Sequence, residues 1–181
     1  MIFTETILKG SYIIDLMQYT DDRGAFVRTF CKKEFAKIGF TKEFVQFNQS
    51  YNTFEGTVRG LHFQQPPYSE IKLISCIRGS VFDVIVDIRQ DSPTFLQHIV
   101  IELSSENKKM VYVPEGFAHG FQTLEDNSTL IYYHTEFYTP KADSGLNFLD
   151  PLLKIKWPLF VSKISEKDKD LKFIDQSFKG I

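Results

Sequence analysis

His62 lies in Val58-Arg59-Gly60-Leu61-His62-Phe63-Gln64, where strand alternation puts Gly60, His62 and Gln64 on one face and Leu61 and Phe63 on the other. A polar face turned into a β-barrel is a common ligand wall, although a hydrogen-bonded structural histidine fits the same pattern. Lys72 interrupts the apolar run Ile71–Ile77 and shares its face with Ile74 and Cys76. A charge there needs a partner or a substrate, unless only its stem is buried and its head reaches water. His119 follows Pro114-Glu115-Gly116-Phe117-Ala118, a turn leading into a strand. Tyr132 and Tyr133 are adjacent, so only one of them faces inward, and spacing does not say which. His98 and His134 carry no further pattern and read as structural. Metal sites gather three or more neutral or anionic side chains, and a lysine beside His62 argues for a site without metal.

These residues must be held by strands. Turn chemistry at Asp22-Arg23-Gly24, Gln65-Pro66-Pro67, Arg78-Gly79-Ser80, Asp91-Ser92-Pro93 and Glu125-Asp126-Asn127 separates ten short runs. They are Tyr12–Met17, Ala25–Phe30, Phe44–Ser50, Thr57–Gln64, Ile71–Ile77, Val81–Ile88, Gln97–Leu103, Lys109–Val113, Gly120–Leu124 and Thr129–Thr135. Many short strands at even spacing predict an all-β sandwich or barrel, and 18 Phe with 8 Tyr suit pleated, half-buried surfaces. One short helix is expected over Lys32–Ile38, ended by Gly39. Beyond Pro140, loops and short helices should pack as a tail on one domain of 181 residues.

Several chemistries lack their motifs. No GxGxxG, GxxxxGK[ST] or GxSxG occurs. With 21 basic and 23 acidic residues the net charge is -2, which gives no reason to expect a nucleic-acid partner. No apolar run is long enough to span a bilayer, and the first residues lack a signal-peptide pattern. Cys31 and Cys76 show no zinc spacing and read as reduced thiols, so the expected location is cytoplasmic.

The PxGxxH run ending at His119 resembles the second cupin motif, while His62-Phe63-Gln64 stands where the first would place HxH. In order along the chain, Asp22-Arg23-Gly24, Phe44–Ser50, Arg59–Gln64, Gly79–Arg89, Ser92–Phe95, Pro114–Phe121, Asp150-Pro151, Trp157-Pro158 and Ser165–Asp168 resemble the dTDP-4-dehydrorhamnose 3,5-epimerase family. The resemblance implies a cupin double-stranded β-helix, a jelly-roll barrel with short peripheral helices. It also implies a homodimer that exchanges strands, no cofactor, and a nucleotide-linked 4-keto-6-deoxyhexose as substrate.

Residue by residue, the resemblance makes His62 the general base and Asp168 its carboxylate partner. Tyr132, by its distance before Pro140, is the acid on the opposite face, and Lys72 sits near the O4 oxyanion. It implies that Arg23, Gln46, Phe47, Asn48, Arg59, His119 and Lys167 bind the nucleotide sugar, with Tyr138 stacking on the base. Two substrate-touching positions depart from the family pattern. Arg28 and Asp143 stand where glutamates are usual, which opens the nucleotide and sugar specificity. With donors only, Arg28 either turns toward the diphosphate or swings out to solvent. An epimerase acting at C3 or C5 alone, an epimerase for a different nucleotide sugar, and a non-catalytic sugar-binding cupin are the alternatives.

Overall fold

Residues Met1–Ile181 are described by a computed structural model. The chain opens with β1 (Ile2–Glu5), β2 (Tyr12–Asp15), β3 (Gln18–Asp21) and β4 (Gly24–Val27). One helical turn follows, α1 (Lys32–Phe35), and continues as a 3-10 turn over Ala36–Ile38. Gly39 ends it in the left-handed region at φ 83°, as the expected helix stop requires. Then come β5 (Gln46–Asn52), β6 (Val58–Gln64), β7 (Lys72–Arg78) and β8 (Ser80–Asp87). β9 (His98–Ser104), β10 (Lys109–Val113), β11 (Phe117–Thr123) and β12 (Ser128–His134) complete the main strands. The tail adds only β13 (Asp143–Gly145) and a single turn, α2 (Glu166–Lys169).

Two antiparallel sheets face each other, one ordered β1-β2-β10-β7-β12-β5 and the other β13-β6-β11-β8-β9. Alternation explains the sandwich. Ile74 and Cys76 of β7, Val111 and Val113 of β10 and Leu130 of β12 point inward from the first sheet. They meet Val81 and Ile85 of β8, Ile101 and Leu103 of β9, and Phe117 and Phe121 of β11. Each such fully buried side chain is worth about 1.5–3 kcal/mol relative to exposure. The outer faces are also covered. Leu73, Met110 and Tyr112 pack beneath Phe35 and Phe40, and Leu61, Phe63 and Val86 beneath the tail residues Leu146, Leu153 and Trp157. This is the all-β jelly-roll architecture that the resemblance implied.

All ten expected strands form, most with ends shifted by one to three residues. β11 starts earlier than expected, at Phe117, because Phe117–Thr123 pairs along Asp87–Val81. β1, β3 and β13 were not expected. β1 adds to an edge through Ile2–Glu5, β13 has three residues, and β3 is exposed throughout. β3 pairs only with β4, as a hairpin outside both sheets.

The end of β8 is fixed by Asp87, which is fully buried. Its carboxylate accepts from Arg89 Nε at 2.9 Å and Nη2 at 2.7 Å, Ser92 Oγ at 2.5 Å and Thr94 Oγ1 at 2.6 Å. Burial by itself would raise its pKa; these bonds outweigh it and bring the group down to about 2. A depressed carboxyl pKa contributes stability above the unfolded value and loses it as pH falls through the folded one. Asp87→Asn should therefore cost about 3 kcal/mol at pH 7, with the deficit shrinking between about pH 4 and pH 2. Melting both proteins at pH 7 and pH 3 checks this, and an equal gap at the two pH values would refute it.

Candidate active site

Between the two sheets lies a cavity of about 260 Å³ lined by Asn48, Gln49 and Ser50 of β5, Arg59 and His62 of β6, Lys72 of β7, His119 and Phe121 of β11, and Tyr132 and His134 of β12. The register builds these walls. Leu130, Tyr132 and His134 lie opposite Cys76, Ile74 and Lys72, so one inward row runs from core to cavity on both strands. That row settles the tyrosine question. Tyr132 faces in, while Tyr133 packs outward with its ring centroid 4.9 Å from that of Phe47.

Arg59 and His62 are three residues apart and alternation alone would put them on opposite faces. A register shift removes the conflict: His119 pairs with His62, but Phe121 pairs with Arg59, which inserts one residue on β6. The insertion falls at Gly60, whose φ is 110° and where a Cβ would meet the Gly120 Cα at 2.6 Å. Only glycine combines that backbone conformation with that approach.

The Gly60 N–H also donates to Asp168 Oδ2 at 3.1 Å. Asp168 Oδ1 lies 2.8 Å from His62 Nε2. Asp168 is 4% exposed on α2, whose cap Ser165 accepts from the Asp168 N–H at 3.0 Å. Burial would raise the Asp168 pKa, but the bonds from His62, Gly60 and Ser165 lower it, so the carboxylate stays ionised. Because a carboxylate only accepts, His62 Nε2 carries the proton and Nδ1 is left free to take another.

On the facing sheet, Tyr132 sits half-buried at the cavity floor. Burial, reinforced by the nearby Asp83 carboxylate, raises its phenol well above the ordinary value. It therefore remains a proton donor across the neutral range. The Lys72 ammonium donates to the His62 carbonyl at 3.3 Å and lies 3.4 Å from Glu70 Oε1. His119 forms a second His–carboxylate pair, its Nε2 2.8 Å from Asp83 Oδ2, and its ring meets Tyr132 edge-on at 5.9 Å. Asp83 Oδ1 is buried without a hydrogen-bond partner.

The remaining expected site residues are distributed unevenly. Asn48 and Arg59 line the cavity, and Arg59 Nε donates to Asn52 Oδ1 at 2.7 Å. Asp143, Tyr138 and Lys167 form a cluster outside it: Tyr138 Oη donates to Asp143 Oδ2 at 2.9 Å, and Lys167 pairs with the same oxygen. Asp143 lies one strand away from Gln64 on β6, and Gln46 Oε1 accepts from the Tyr138 N–H at 3.1 Å. This cluster and the exposed Phe47 flank the site without lining the cavity. Arg23 and Arg28 stand apart from it. Arg23 pairs with Asp21 on the β3–β4 hairpin, and Arg28 Nη1 lies 3.0 Å from Glu34 Oε1. Within the chain, Arg28 thus turns to a neighbouring carboxylate.

Sequence reasoning overlooked three groups. His134 read as structural, yet it lines the cavity. Asp83 had a usable signal, a charge set between Val81 and Ile85 in their inward row, which is the same signal that exposed Lys72. Glu70 had none, since it precedes its strand. No three His, Cys, Asp or Glu side chains converge as metal ligands, and no helix is long and apolar enough to cross a membrane.

Comparison with known proteins identifies the family. The family model described as dTDP-4-dehydrorhamnose 3,5-epimerase matches residues 5–176. A curated enzyme of that name from Shigella flexneri is 42% identical over 96% of this chain and 97% of its own. The crystal structure of one from Bacillus anthracis, with TDP and pyrophosphate bound, superposes with a TM-score of 0.93 at 40% identity, covering 96% of this chain and 99% of that one. A dTDP-6-deoxy-D-glucose-3,5-epimerase from Legionella pneumophila, bound to dTDP-4-keto-L-rhamnose, gives 0.90 at 40% identity, with 95% of this chain and 92% of that one covered. A 3'-monoepimerase from Streptomyces bikiniensis is more distant, with a TM-score of 0.86 at 28% identity over 93% of this chain and 85% of its own. It was solved with dTDP as a double mutant, His to Asn and Tyr to Phe, at two positions as far apart in sequence as His62 and Tyr132.

Proposed function

The chain belongs to the dTDP-4-dehydrorhamnose 3,5-epimerase family, and from that membership we propose how its residues invert C3 and C5 of dTDP-4-dehydro-6-deoxyglucose to give dTDP-4-dehydrorhamnose. The observation that carries the proposal is His62 of one sheet, paired with Asp168 of α2, set across the cavity from Tyr132 and Lys72 of the facing sheet. The C4 ketone acidifies the hydrogens on C3 and C5. His62 Nδ1 removes one, and the electron pair moves through the C–C bond onto O4 to give an enolate. Tyr132 then protonates the same carbon from the other face, and its configuration inverts. The Lys72 ammonium stabilises O4 while it carries charge. Arg59 and Asn48 hold the substrate at the cavity wall, with the guanidinium suited to the diphosphate.

Incubation with substrate in deuterated water tests the reading. Deuterium at both C3 and C5 of an epimerised product is expected; incorporation at one carbon alone marks a monoepimerase, and none marks a binding protein. Lys72→Met should lower kcat by about 10²–10³-fold with little change in KM, because the ammonium matters most once O4 is charged. A change confined to KM would make Lys72 a binding residue.

A strand-exchanging homodimer fits the surfaces. The β3–β4 hairpin leaves Tyr19 67% and Phe26 69% exposed, and edge strand β5 leaves Phe47 59% and Tyr51 70% exposed. Arg23 and Arg28 line no wall of their own cavity, so they touch substrate only where the hairpin reaches a partner's site. A solution mass near 21.0 kDa, that of one chain, would count against the dimer. The two unpaired thiols, Cys31 and Cys76, suit the reducing cytoplasm.

A further inference from the structure

Glu70 commits its two oxygens differently. Oε2 is 2.7 Å from His134 Nδ1, whereas Oε1 is 3.4 Å from Lys72 Nζ, a long contact for an ion pair. The three side chains are buried to the same depth, at 9%, 11% and 10% exposure. Burial would push the Glu70 carboxyl toward its neutral form, but Lys72 and His134 hold it below the usual carboxylate range. The carboxylate only accepts, so His134 Nδ1 carries the hydrogen given to Glu70, and His134 Nε2 lies 3.3 Å from Asn48 Nδ2. The His134 ring is held from the other side by Tyr132, stacked at 5.9 Å with 18° between planes.

A buried amine beside a ketone substrate is a hazard as well as an asset. Desolvation favours the uncharged amine. An uncharged amine can add to C4, lose water and leave an imine instead of stabilising O4. A full-strength ion pair would cure this but would also occupy the ammonium.

We propose that Glu70 is a positioning residue for the epimerisation: its charge keeps Lys72 an ammonium, and His134 holds it back so that the ammonium is free to meet O4. The inference rests on the role given above to Lys72 at O4. It explains why one carboxylate oxygen is bonded tightly to the His134 imidazole while the other stands off from the Lys72 side chain.

The test compares the native protein, Glu70→Gln and His134→Phe. Lys72 is methylated with formaldehyde and cyanoborohydride at pH 8, and its peptide is followed by mass spectrometry. Only uncharged amine adds to formaldehyde, so the rate reports loss of the ammonium. Glu70→Gln keeps the size of the side chain and should speed methylation of Lys72 by about tenfold or more while lowering kcat. The exposed Lys169 serves as the control for an unchanged reagent and fold. In His134→Phe the freed carboxylate closes on Lys72, so kcat should fall while methylation stays as slow as in the native protein. That arm stands alone if the glutamine variant does not fold. Unaltered methylation in Glu70→Gln, or acceleration in His134→Phe, overturns the proposal. Acceleration in Glu70→Gln with kcat unchanged sinks the role of Lys72 at O4 instead, and leaves intact the hold of Glu70 on its proton.

Discussion

Replacing His62 by asparagine should leave a folded protein whose exchange of substrate C–H hydrogens with solvent falls by about 10²–10⁴-fold. Asparagine approximates the size of the imidazole and its amide can still donate toward Asp168 Oδ1, where His62 Nε2 lies at 2.8 Å. The fold depends little on the ring, since Asp168 is also held by the Gly60 N–H at 3.1 Å and by its place on α2. Asparagine has no basic nitrogen, so nothing at that position can accept the proton from C3 or C5. Both carbons should be affected together, because one base serves one face of the ring. Deuterium incorporation followed by NMR, with melting temperature as the fold check, reads the result. A folded variant that keeps most of its exchange would remove His62 from the base role, and His119, bonded to Asp83 in a similar pair, would become the residue to test.

The strands were legible because their signals are local. Val81–Ile88 and Lys109–Val113 are apolar runs bounded by turn residues, and both form within one residue of expectation. β13 carried too little pattern, since three residues gain strand geometry only from pairing Asp143–Gly145 with Gln64–His62. The site was legible in part for the same reason. A lysine among Ile71, Leu73 and Ile74 stands out in sequence, as does a histidine following glycine in a strand. What joins them is long-range. The pairing of His62 with Asp168 spans 106 residues, and no property of either segment requires it. Resemblance supplied that pair, whereas its geometry depends on the Gly60 insertion, which alternation does not reveal.

His134 shows the converse. Its alternation partner Tyr132 is a candidate for the cavity in sequence, and the same inward row includes both residues. The pattern was present but carried no chemical meaning until Glu70 and Lys72 were brought beside it. Arg23 marks another limit. Its hairpin makes contacts with neither sheet through strand pairing, so the chain alone gives it no substrate to touch.

Replacing Tyr132 by phenylalanine should separate exchange from inversion. His62 can still remove a proton and return it to the same face, so deuterium should enter C3 and C5. Inversion needs a donor on the other face, and phenylalanine has none; epimer formation should fall by about 10²–10⁴-fold relative to exchange. The protonation state favours the tyrosine as acid, because burial and the Asp83 carboxylate hold its phenol well above its ordinary pKa. It is therefore loaded with its proton throughout neutral pH, and its own titration should not limit turnover there. Phenylalanine retains the ring that meets His119 edge-on and stacks on His134, which keeps the walls in place. Tyr133→Phe is the control. Its hydroxyl contacts Thr29 Oγ1 at 3.5 Å on the outer face, so both exchange and inversion should remain near native. Analysing the substrate and product pools separately for deuterium gives the two rates from one incubation. Loss of inversion in Tyr133→Phe with none in Tyr132→Phe would show that the inward register of β12 does not deliver the catalytic acid.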